Sequence, residues 1–291
     1  MEWIQQLVNG ISLGSIYALI AVGYTMVDGI IKLINFAHGD VFMLGAFIGF
    51  YAIARWEMHF ILALLLSMAL CAIIGVIIER VAYKRLRNAT RIAALITAIG
   101  VSLLIEYTVI FFRGASPEAY PTVIESRNIE IFGAQISVQA LLILAIAIIL
   151  MLLLQFIVHQ TKIGKAMRAV SHDADAARLM GINVDNTISA TFAIGSALAG
   201  AAGVIFGIYY TRIEPLMGVL PGLKAFVAAV LGGIGIIPGA MVGGLVLGVV
   251  ETFVSALGYS LWRDAAAFVI LILILIIRPS GIFGKNTREK V

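Results

Sequence analysis

Charge is scarce in this sequence: 12% of its residues are Asp, Glu, Lys or Arg, against roughly 25% in soluble domains. Together with 62% hydrophobic residues and a mean hydropathy of +1.06, this excludes an ordinary soluble domain and marks an integral membrane protein. Regular alternation of apolar and polar residues is also missing. The apolar runs are long and continuous, which excludes a membrane β-barrel and leaves helices to satisfy the backbone in lipid. Cysteine is nearly absent, and Cys71 alone can form no internal disulfide. Catalytic signatures are lacking: there is no His-Glu-x-x-His, no Cys/His cluster and no Gly-x-Ser-x-Gly. Neither Gly164-Lys165 nor Gly284-Lys285 completes a Walker phosphate loop. The chain is therefore expected to carry no cofactor or metal and no ATPase site. No basic stretch precedes the first apolar run, so MEWIQQLVNG is expected to stay as a membrane helix rather than be removed as a signal peptide.

What is present is a series of apolar runs near 4–27, 40–54, 60–78, 92–112, 136–158, 187–210, 222–237, 239–257 and 265–277. Spanning the hydrocarbon takes about 20 residues of helix. The run at 222–237 is short and glycine-rich, and 265–277 is short, so the expectation is about eight to ten spanning helices. The fold class is an all-α polytopic bundle with broken or re-entrant segments, one transmembrane unit over 1–291 that includes a polar loop at 159–186. Lysine and arginine set the orientation. Arg80, Lys84, Arg85, Arg87 and Arg91 form one basic group, Lys162, Lys165, Arg168 and Arg178 a second, and Arg278, Lys285, Arg288 and Lys290 a third. All three, with the C-terminus, are expected in the cytoplasm, and segments 113–135 and 211–221 outside. The net charge of +4 is accounted for by these membrane edges and anionic lipid, not by nucleic acid.

Twenty-nine glycines include the four-residue pairs Gly10/Gly14, Gly45/Gly49, Gly203/Gly207, Gly239/Gly243 and Gly244/Gly248, a spacing that lets helices approach closely. In LGGIGIIPGAMVGGLVLGVVE, Pro238 lacks an amide hydrogen and lies among Gly232, Gly233, Gly235 and Gly239, so the helix is expected to break there. Backbone freed at membrane depth is tolerated where it is buried in protein or lines a cavity. DGIIKLINFAHGD, with Lys32, Asn35, His38 and Asp40, reads as a solvated turn, a short interfacial helix or a re-entrant piece. Glu106, Glu251 and Asp28 are ionisable residues in or beside apolar runs, each costing about 2.5–3.5 kcal/mol to insert, and are expected to face a partner or a cavity.

The polar island SHDADAARLMGINVD, 171–185, interrupts this pattern. Ser171 is expected to cap a helix of two to three turns, with Asp173 and Asp175 in its first turn, Arg178 in its last and Gly181 ending it. Ala174, Ala177, Met180 and Gly181 make a small-residue face suited either to a partner's groove or to the protein's own bundle.

Asp175-Ala176-Ala177 followed three residues later by Gly181 resembles the Glu-Ala-Ala-x-x-x-Gly loop of permease subunits in ATP-binding-cassette importers, with Asp for Glu. The stretches NGISLGSIYALIAVGYTMV, INFAHGD, GKAMRAVSHDADAARLMGI, AFVAAVLGGIGIIPGAMVGG and RPSGIFG occur in that order and resemble the branched-chain amino acid permease family over nearly the whole chain. Two departures stand out. Gly181 is followed by INVDNTISA instead of an Ile-x-Leu-Pro ending, and Asp28 stands where relatives carry an aromatic or apolar residue.

The resemblance implies a subunit of a bacterial cytoplasmic-membrane importer. It would work with a second homologous permease subunit, two cytoplasmic ATPase subunits that hold ATP and Mg, and an extracytoplasmic substrate-binding protein. The helix from Asp173 to Met180 would be the coupling helix, and the substrate a branched-chain or other neutral amino acid. Asn35, His38, Glu106, Gly233, Gly235, Pro238, Gly239 and Glu251 would line or hinge the pathway. A urea or short-amide permease of the same type, or a stand-alone ion-coupled carrier using Glu106, Glu251 and Asp28, are the rival readings.

Overall fold

A computed structural model of the protein describes residues 2–33, 35–87, 89–123, 127–131 and 134–284. The expected basic tail at Lys285, Arg288 and Lys290 lies outside the described residues.

Each apolar run became a helix. In chain order they are α1 (Glu2–Ile31), α2 (His38–Ala54), α3 (Phe60–Ile78), α4 (Arg91–Arg113), α5 (Val138–Gln160), α6 (Lys162–His172), α7 (Ala174–Leu179), α8 (Val184–Tyr210), α9 (Val219–Gly232), α10 (Ile237–Ala256) and α11 (Arg263–Ile277). Among the described residues seven helices are long and apolar enough to cross a membrane, while α2 and α9 are shorter apolar helices. Side chains cap several of them. Thr90 accepts from the Ala93 amide before α4, and Asn183 accepts from the Asn186 amide before α8. Each cap satisfies one amide that the helix cannot.

Helices α1 and α8 form the middle of the bundle: 94% and 78% of their most apolar windows are buried, against 17% in α4 and 6% in the α11 region. Glycine explains how α1 packs so deeply. It runs antiparallel to α10, with Gly10 against Val249 and Gly14 against Leu245, and Gly29 meets Gly235 in the turn before α10, so that backbone meets backbone. Gly45 meets Gly200 in the same way between α2 and α8. Every glycine of the five four-residue pairs faces a neighbouring segment.

The two ends of the bundle differ. At one end Glu118–Ala119 pairs with Arg212–Ile213 as a short antiparallel sheet, joining the two segments expected outside. All three tryptophans belong to this end: Trp3 stacks on Phe253, Trp56 follows α2, and Trp262 precedes α11. Aromatic belts of this kind lie at membrane interfaces. At the other end a π-helical turn, Glu79–Tyr83, follows α3, and Arg87 and Lys84 pair with Asp185 of α8. The chain also returns to this end after α11, where the amides of Ile282 and Phe283 donate to the carbonyls of Leu231 and Gly232 at 2.9 and 3.2 Å.

The break expected around Pro238 is present. Helix α9 ends at Gly232, Gly233 and Gly235 take φ of +104° and +84°, and Pro238 starts the first turn of α10, where its missing amide costs nothing.

Candidate functional site

The polar loop is built from two short helices rather than one, a correction to the single helix expected from Ser171. Helix α6 carries the chain through Ser171, whose hydroxyl donates to the Arg168 carbonyl, so Ser171 is not the cap. Asp173 holds that position instead: its carboxylate accepts from the amides of Asp175 and Ala176, both at 2.9 Å. Six residues of α7 follow, and Gly181 ends them at φ +83°, where a side chain would be strained. Of the two uses open to the small-residue face, Ala177 takes the one against the protein's own bundle. It turns inward, whereas Asp175, Ala176, Arg178, Leu179 and Met180 are exposed. Leu179 and Met180 are 89% and 83% exposed, which makes the tip of the loop apolar. A loose Arg178–Asp175 pair at 3.5 Å flanks it.

This loop is tied to the bundle by charge. Asp185, four residues beyond Gly181, pairs with Lys84 at 2.8 Å and with Arg87. Arg87 also pairs with the fully buried Glu79, which accepts from the Ser189 hydroxyl at 2.7 Å. Guanidinium bridging of two carboxylates makes a stiff, directional contact. The loop is thereby linked to the end of α3 as well as to α8.

The segment before α2 is not a solvated turn, since Asn35, His38 and Asp40 are buried. His38 begins α2, with its ring at 4.8 Å from that of Tyr24, and Asn35 accepts from the Tyr83 hydroxyl at 2.8 Å. Asp40 faces Ser102 and Glu106 of α4. Glu106 is thus placed against a neighbouring helix, as expected, and these groups meet no residue of the cavity below.

Glu251 leads to the most developed polar site. It is fully buried, its carboxylate pairs with Lys224 at 2.8 Å, and it accepts from the Tyr17 hydroxyl at 3.0 Å. Lys224 pairs with Asp264 at 2.6 Å, and Arg263 Nε lies 3.7 Å from Glu251 and 3.6 Å from Asp264. Two cations thus face two carboxylates, so no net charge is left in the protein interior. Four elements bring these groups together: Tyr17 comes from α1, Lys224 from α9, Glu251 from α10, and the adjacent Arg263 and Asp264 from the start of α11. Above them opens a cavity of about 360 Å³ at the tryptophan end, with Phe206, Met217 and Leu220 among its lining residues. Sequence reasoning singled out Glu251 alone. Lys224 was the available signal, a lysine within an apolar run.

Gly233, Gly235, Pro238 and Gly239 sit together at the α9–α10 turn, at the opposite end of these two helices from the cavity. Among the described residues no group of three or more His, Cys, Asp or Glu side chains is set to hold a metal.

A family model described as the permease component of branched-chain amino acid transport systems matches residues 6–277. The chain is 44% identical to the high-affinity branched-chain amino acid transport system permease protein LivH of Salmonella typhimurium, over 100% of this chain and 98% of that protein. It is 43% identical to the corresponding permease protein BraD of Pseudomonas aeruginosa over the same shares. Identity to the ribose import permease protein RbsC of Escherichia coli is 25%, over 94% of this chain and 85% of that one. No solved structure matches the chain.

Proposed function

We propose that this chain, which belongs to the family of permease components of branched-chain amino acid transport systems, lines the membrane path of an ATP-driven importer for branched-chain amino acids. The observation that carries this reading is the extent of the likeness, which reaches from α1 to the end of α11. The protein is a multi-pass membrane protein and a transport component. Its place in the bacterial cytoplasmic membrane, with the polar loop and C-terminus inside, is supported by the basic residues gathered at one end of the bundle and the tryptophans at the other.

In this reading the energy comes from separate ATPase subunits that hold ATP and Mg, and the cargo is handed over by an extracytoplasmic binding protein. A second permease subunit completes the path. Helix α7 is the point of contact with the ATPases. Its tip offers Leu179 and Met180 to a groove, the Asp173 cap and Gly181 keep the helix short and rigid, and the Asp185–Arg87–Glu79 bridge conveys its displacement to α3 and α8. The family argues against a stand-alone ion-coupled carrier.

The test is the double variant Leu179→Glu/Met180→Glu. It is expected to insert and fold in the membrane but no longer to co-purify the ATPase subunits or support uptake. Unchanged leucine uptake by the assembled importer would remove α7 as the contact.

A further inference from the structure

We infer that the cavity over Lys224 is a transient binding site for a zwitterionic amino acid with an aliphatic side chain, within this one subunit. The inference rests on the transport reading above and adds the place and chemistry of the cargo's stop.

Three features of the cavity carry it. Its size, about 360 Å³, lies at the lower end of the roughly 300–1,000 Å³ found for small-molecule sites and suits one amino acid rather than a peptide. Next, both signs of charge face it from adjacent residues. Arg263 reaches Glu251 and Asp264 at 3.7 and 3.6 Å through its Nε and also meets the Tyr210 hydroxyl, and with five donors in its planar fork it can still take a carboxylate in the cavity. Asp264 gives one oxygen, Oδ1, to Lys224 at 2.6 Å and keeps the other for an ammonium group; its side chain is 45% exposed. Finally, Phe206, Met217 and Leu220 add apolar side chains to the same lining. An α-amino acid bears a carboxylate and an ammonium group on its α-carbon beside its aliphatic side chain, and this lining offers a partner for each of the three.

Lys224 and Glu251 belong to the floor of the site. Lys224 donates to Asp264 and to the Tyr17 hydroxyl, at 2.6 and 3.4 Å, and forms an ion pair with Glu251 at 2.8 Å. The lysine therefore neutralises the floor and leaves the binding to Arg263 and Asp264. A site with both charges already balanced holds a zwitterion weakly, as a transport path requires for release.

The experiment uses the complete importer, with both permease subunits, both ATPases and the binding protein, in proteoliposomes. Leu220→Trp places bulk in the apolar lining, and Met217→Phe does so in its stead should Leu220→Trp fail to assemble. Leucine uptake is expected to fall about tenfold while uptake of the smaller valine falls less, since one or two methylene groups in an apolar pocket discriminate on this scale. Uptake of both at wild-type rates, or a parallel fall of both, would overturn the site. Failure of the wild-type complex to take up leucine would instead overturn the transport reading.

Discussion

Gly14 lies where α1 meets α10, and adding a single methyl there should weaken the whole bundle. A Cβ built on Gly14 would stand 2.7 Å from Leu245 Cα and 2.8 Å from the Leu245 carbonyl oxygen, inside the 3.4 Å at which ordinary contact begins. Both obstacles are backbone, which no rotamer change can move, so the helices themselves must part. Overpacking of this kind costs about 1–3 kcal/mol, and rigid backbone on both sides puts Gly14→Ala at the upper end. Removing a helix-interior glycine returns at most about 1 kcal/mol through propensity. The net expectation is a loss of about 2 kcal/mol. Gly100, within α4, is the internal control: a Cβ there meets nothing within 4 Å. Gly100→Ala should be neutral or stabilising by up to about 1 kcal/mol. Unfolding of the purified protein by SDS titration in mixed micelles, followed by tryptophan fluorescence, measures both. Trp3 stacked on Phe253 reports the α1–α10 seam directly. Equal stability of the two variants would refute the claim that backbone contact between these helices holds the centre together.

Breaking the buried charges should cost more than trimming exposed ones. Lys224→Met leaves the fully buried Glu251 without its nearest cation and should destabilise by about 3–5 kcal/mol, with the double variant Lys224→Met/Glu251→Leu recovering much of it; the same titration checks this, and a stable Lys224→Met single variant would contradict the pairing. At the opposite end, Arg87→Met strands buried Glu79 and should cost a comparable amount. Asp185→Asn, whose side chain is 45% exposed, should cost only about 0.2–1 kcal/mol, and a reversed order would mean the bridge does not run through Glu79.

The helices were legible because their cause is local. Twenty apolar residues in lipid have one good solution for the backbone, and each apolar run appears as a helix within a few residues of its expected ends. The break at Pro238 was legible for the same reason, being written in one imino acid and its glycines. The cap of α7 was misplaced by two residues because Ser171 and Asp173 are both good cap residues, and only the packing of Met167 and Val170, which extends α6, decides between them. The inward turn of Ala177 likewise depends on tertiary packing, not on spacing. The charged cluster was least legible. Its members stand at 17, 224, 251, 263 and 264, and nothing local says that Tyr17 and Lys224 share one carboxylate. Arg263 and Asp264 carry no local mark of their role, because the cavity they face exists only once α1, α8 and α9 have closed around it.

The bonding of Ile282 and Phe283 back onto Leu231 and Gly232 imposes an order of assembly. The carbonyls at the close of α9 are made early but find these partners only after α10 and α11 have left the translocon. Until then those two carbonyls lack the partners that close the hairpin. The mouth of the α9–α10 hairpin is therefore stitched shut by some of the last-made residues of the described fold.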